Sequence, residues 1–158
     1  MDIEKLIREN IAKTVHMSLG TSRDNRPWVC EVHFAYDDDL TIYFRSLASR
    51  RHSQEIADNP RVAGNIVRQF NLGEAAVGVY FEGVAEKLAP GPEQDKAFAC
   101  IQERLKAKDS ILDEAKDPDG HQFYKISVDS FYLFGKFDEG EGGPQKYELA
   151  WSGRIQAA

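Results

Sequence analysis

Arg45, Ser46, Ser49, Arg50, Arg51 and His52 crowd a short stretch with groups that can hold an anion. Guanidinium and hydroxyl donors converging on one point suit a phosphate. Their place along the chain sharpens that reading. Leu40, Ile42 and Phe44 alternate with Thr41, Tyr43 and Arg45, the period-2 pattern of a half-buried strand. A small-residue loop follows. Ser49 is a good N-cap for a helix that must stop before Pro60, since the residue ahead of a proline is pushed out of helical geometry. A helix start carries partial positive charge and free N–H groups, and it favours Asp or Glu. Here it carries Arg50, Arg51 and His52. Each such cation costs about 0.3–1 kcal/mol at an exposed site, a cost that reverses when an anion sits against the helix end. The alternative is a solvated helix whose arginines pair with Glu55 and Asp58.

A second set lies just upstream. From Trp28 to Tyr36 the pattern alternates, with Trp28, Cys30, Val32, Phe34 and Tyr36 on a core face and Val29, Glu31, His33 and Ala35 on the other. A hairpin at Asp37-Asp38-Asp39, read as a solvated tip, pairs this strand with the one that delivers Arg45 and Ser46. Both strands then border one end of a sheet, where a flat ring could lie against backbone amides. The alternative is a plain solvent-facing strand. Trp151, followed by Arg154, is either a core plug or part of a ring-stacking wall. His16, His33, His52 and His121 occupy separate elements without ligand spacing, so no metal site is expected. No nucleophile elbow, HExxH, GxGxxG or Walker loop occurs.

These groups need a scaffold. The 158 residues suit one domain over 1–158, with a frayed tail from about residue 152. A net charge of −6 argues against a general nucleic-acid or anionic-membrane surface, so an anion site must be local. Cys30 and Cys100 form no CxxC and read as buried thiols in a reducing cytosol. The charged start, MDIEKLIREN, is not a signal peptide, and no apolar run reaches membrane-spanning length; the expected location is cytoplasmic. Asp2 caps a helix to about Lys13, and Asp24-Asn25-Arg26-Pro27 is turn chemistry. Val77–Lys87 is a long strand in which Gly83 marks a bulge or bend. Pro92 opens a helix, and 122–137 is a strand pair or one long bent strand. Six or seven strands arranged in hairpins, with three or four helices, predict an antiparallel barrel or curled sheet with helices at its ends.

The ordered set RPWVCEVHFAYDDDLTIYF, RSLASRRH, EIADNPRVAGNI and VYFEGVAEKL resembles the pyridoxamine 5'-phosphate oxidase-like flavin-binding split-barrel family, well over Val15–Leu88 and more loosely beyond. The resemblance implies a mainly β, six-stranded antiparallel split barrel with peripheral helices. It also implies a homodimer with FMN at the subunit interface and an FMN-dependent oxidoreductase acting on a small molecule. By the same likeness Ser46, Ser49, Arg50, Arg51 and His52 fall at the phosphate, where the residue pattern alone also places Arg45. Val29, Cys30 and Glu31 fall at the ring, and Trp151 with Arg154 faintly echoes a C-terminal substrate and cofactor region. The glutamine that reaches the flavin in the oxidases proper is replaced by Val77-Gly78. Shorter relatives bind FMN, the deazaflavin F420 or haem, and a non-catalytic flavin-storage protein fits the fold as well. No protein acid or base stands out.

Overall fold

The structure is a computed structural model and describes residues 1–152. Most of the expected frayed tail, Arg154 included, lies outside the described residues. Asp2 starts helix α1 (Ile3–Ile11) by accepting the Lys5 backbone N–H at 3.0 Å, and Ile7 and Ile11 plug the core. Strands β1 (His16–Arg23) and β2 (Arg26–His33) form a hairpin about Asp24 and Asn25, both at positive φ, as a two-residue turn between twisted strands demands. After a break at Phe34 come β3 (Ala35–Tyr36), β4 (Ile42–Leu47) and helix α2 (Arg51–Asp58). Then follow β5 (Arg61–Arg68), β6 (Val77–Lys87), α3 (Pro92–Leu105), α4 (Ser110–Glu114), the long β7 (His121–Gly135) and β8 (Gln145–Ala150).

The strands form one antiparallel sheet in the order β2-β1-β5-β6-β7-β4-β3, with β8 on the far half of β7. The sheet curls into a half-barrel of the expected split-barrel kind. Among the described residues it has eight strands: beside the six of the expected barrel stand β3, a short continuation of β2, and β8, which pairs with β7. The expected irregularity at Gly83 is present: the β6–β7 register shifts there, and Asp129 is the extra residue on β7.

Three expectations around the hairpin need correction. Asp37 is buried, not solvated. Its carboxylate accepts the backbone N–H groups of Asp39 and Thr41 and the Tyr43 hydroxyl, and it pairs with Lys96 at 2.9 Å. Leu40 is in the turn, at φ 57, and not in the strand. Strand β4 is also covered on both faces. Phe44 and Ile42 enter the main core, while Tyr43 packs with Ala97 and Ile101 of α3. A strand sandwiched in this way loses the alternation expected of a half-exposed one.

Candidate functional site

The two ends of the sheet approach each other without joining. β2 pairs only with β1, and Phe44–Leu47 of β4 pair only with β7 among the described residues. The free edges of β2 and β4 thus border a seam, and a cavity of about 690 Å³ opens along it. That volume falls in the usual range for small-molecule sites, roughly 300–1,000 Å³. Trp28, Cys30, Glu31, Val32 and His33 line one side; Phe44 to Leu47 line the other. Arg50, Arg51 and His52 close one end, and His121 and the last turn of α3 complete the wall.

The helix start sits one residue later than expected. The Arg50 N–H closes a turn on the Leu47 carbonyl at 3.1 Å, which draws Ser49 into the turn and leaves Arg50 as N-cap. No side chain among the described residues caps α2, and its first turn holds no acid. The N–H groups of that turn therefore face outward with a positive field behind them. Arg50 lines the cavity, and its guanidinium has no partner among the described residues.

Its neighbours are held in place. Arg51 Nε donates to Glu55 at 2.9 Å, and the guanidinium lies 4.4 Å from the centre of the Trp28 ring. Glu55 also accepts the Thr21 hydroxyl at 2.6 Å, and this bond, then Arg51, holds its carboxyl below the usual range. Asp58 pairs with Arg23 instead of a helix-start arginine. His52 Nε2 lies 2.7 Å from Ser46 Oγ, to which Ser53 also donates at 3.0 Å. Burial, and then the charge of Arg50, push His52 below the ordinary histidine value, so its imidazole is neutral at pH 7. Arg45 donates to Glu114 at 2.5 Å and lies over the Phe123 ring, and its buried Nε has no partner among the described residues. Glu114 also accepts from His121 Nδ1 at 2.6 Å and from the His121 backbone N–H. These contacts, His121 foremost, bring its carboxyl down to about 2.

Of the residues singled out from sequence, Cys30, Glu31, Arg45, Ser46, Arg50, Arg51 and His52 line this one cavity. Burial raises the Cys30 thiol, which keeps it protonated. Val29 and Ser49 do not line the cavity, and Val29 is 63% exposed. Trp151 is a core plug: it packs edge-on to Phe131, and its Nε1–H donates to the Asp39 carbonyl at 2.9 Å. Trp28 belongs to the cavity rather than the closed core, because β2 lies at the open seam. His121 could not be joined to this site from sequence, because its place opposite Leu47 depends on the pairing of β4 with β7, distant in sequence.

The sequence model described as pyridoxamine 5'-phosphate oxidase matches residues 3–135. No curated protein matches the chain in sequence. Among solved structures, the chain is similar to a haem-binding protein from Mycobacterium smegmatis at 20% identity and TM-score 0.70, covering 91% of this chain but 56% of that one. It thus spans little more than half that protein's length. It is also similar to ChuZ of Campylobacter jejuni (15% identity, TM-score 0.73, 94% and 59% covered). HutZ, the haem storage protein of Vibrio cholerae, is similar over 95% of both chains at 16% identity and TM-score 0.67. At these identities the likeness concerns the fold alone.

Proposed function

The chain belongs to the pyridoxamine 5'-phosphate oxidase family, and from that premise we propose that it binds FMN in the seam cavity and is a flavin-dependent oxidoreductase for a small molecule. The observation that carries this reading is the acid-free start of α2, with no side-chain cap and no partner for the cavity-lining Arg50 among the described residues. A helix start of that kind is made for a phosphate. Arg50, Arg51 and the first-turn N–H groups would hold it, with Ser46, Ser49 and His52 beside them. The free edges of β2 and β4 offer backbone donors and acceptors to a flat heterocycle near Val29, Cys30 and Glu31. Arg45 is tied to Glu114 and serves to hold the wall. When bound, the flavin would supply the redox chemistry, and the protein's part is to bind, orient and exclude water. The half-exposed Trp28 and the exposed Val29 beside the seam suit cover by a second copy of the chain, as in a homodimer with the site between subunits.

A haem-binding reading is favoured by one different observation. Glu114 accepts from His121 Nδ1, and Nε2 of this cavity-lining imidazole has no partner among the described residues. The two readings separate in titrations of the purified protein. FMN fluorescence quenched at one site per chain, with much weaker quenching of phosphate-free riboflavin, supports the first. A Soret shift on adding haemin, without FMN binding, supports the second.

A further inference from the structure

The hairpin of β1 and β2 brings together two side chains that the flavin reading does not use. His16 and His33 are directly opposed across the ladder. Counting from the two-residue turn, Arg23 and Arg26 form a hydrogen-bonded pair, and bonded and non-bonded pairs then alternate. Pro27, which has no N–H, falls at a non-bonded position, and the Phe34 N–H donates to the Val15 carbonyl at 3.1 Å in the bonded pair next to the histidines. His16 and His33 therefore form a non-bonded pair, in which facing side chains come closest. Their ring centroids are 4.4 Å apart, and the two Nε2 atoms approach to 2.7 Å. Whichever ring donates, the other must accept through a lone pair, so both Nε2 atoms aim at one point. Both residues are exposed.

We infer that His16 and His33 chelate one divalent transition-metal ion through their Nε2 atoms. Imidazole nitrogen sits about 2.0–2.1 Å from Zn²⁺, so a near-tetrahedral angle separates two such nitrogens by roughly 3.3 Å. A small rotation of two exposed side chains supplies the difference. Paired imidazoles select Zn²⁺, Cu²⁺ or Ni²⁺ over Mg²⁺ and Ca²⁺. No third His, Cys, Asp or Glu joins them among the described residues. The remaining positions are open to water or an exogenous donor, and His33 lies on the cavity wall, where a ligand in the cavity can supply one.

The test uses tag-free protein, so that no added histidines compete. Calorimetric titration with Zn²⁺ should show one site per chain, and Cu²⁺ should give an electron paramagnetic resonance spectrum with nitrogen hyperfine splitting from two imidazoles. His16→Ala or His33→Ala should each weaken Zn²⁺ binding at least about tenfold. His16→Gln and His33→Gln, which keep a polar side chain on the hairpin, should do the same. His52→Ala and His121→Ala should leave the affinity unchanged. Affinity should fall as pH drops, because protons compete for the same lone pairs. Wild-type protein that binds no Zn²⁺, or binding that survives in the double alanine variant, overturns the inference. The outcome is independent of FMN.

Discussion

Arg51 and Glu55 form an ion pair at 2.9 Å in which the carboxylate is 3% exposed and the guanidinium 45%. The pair explains how α2 tolerates a basic first turn. One arginine is neutralised from within the helix, at the i,i+4 spacing, while Arg50 before it has no partner among the described residues. The expected pairing of a helix-start arginine with Glu55 thus holds for Arg51, and the proposed anion contact concerns Arg50 alone.

Acid stability follows from the same pair and from Glu114. Both carboxyls are held below their ordinary value of 4.5 by hydrogen bonds that the unfolded chain lacks, Glu114 at about 2. Their contribution is complete above the unfolded value and is lost as pH falls through the folded one. Thermal melts followed by circular dichroism should show the midpoint falling between about pH 5 and pH 2. Glu114→Gln should melt lower at neutral pH and lose less on acidification. Parallel curves for the two proteins would show that Glu114 contributes nothing through its charge.

An anion at the start of α2 should be felt by His52. Burial and Arg50 depress its imidazole, while Glu55 acts weakly in the other direction. A phosphate beside Arg50 offsets that charge and favours the imidazolium. Nitrogen-detected titration of the His52 ring should therefore move to higher pH when FMN or inorganic phosphate is added. A titration that does not move places the anion elsewhere.

Gly83 tests the scaffold without touching the site. A Cβ there would lie 2.2 Å from the Ser127 carbonyl oxygen and 3.0 Å from Val128 Cα, both backbone atoms of the β6–β7 ladder. Gly83→Ala should cost about 1–3 kcal/mol as an overpacking change, read by urea unfolding. Gly143→Ala, which meets nothing within 4 Å, should be neutral.

What the sequence revealed and what it hid divide along contact range. The Asp24-Asn25 turn, the α1 cap, the bounds of β6, the bend at Gly83 and the charge anomaly of α2 all rest on neighbouring residues, and all could be read there. The seam could not. It exists because β2 and β4 lie near opposite ends of the strand order, and that order emerges only from pairings such as β1 with β5 and β4 with β7. Hence Trp28 read as core, and His121, Glu114 and Arg45 seemed unrelated. The same holds for Asp37, whose burial depends on Lys96 arriving from α3. His16 and His33 meet only once the hairpin register is known.

FMN binding at the start of α2 is tested most simply by the FMN affinity of Arg50→Ala beside that of the wild type, by fluorescence quenching. Arg50 has no partner to lose among the described residues, so the variant should melt like the wild type. Removing one charge-assisted contact to the phosphate is worth about 1.5–3 kcal/mol, roughly a ten- to hundredfold rise in Kd. Riboflavin, which has no phosphate, should bind the two proteins equally. An unchanged FMN affinity in the folded variant, or a wild type that does not bind FMN at all, would contradict the central claim.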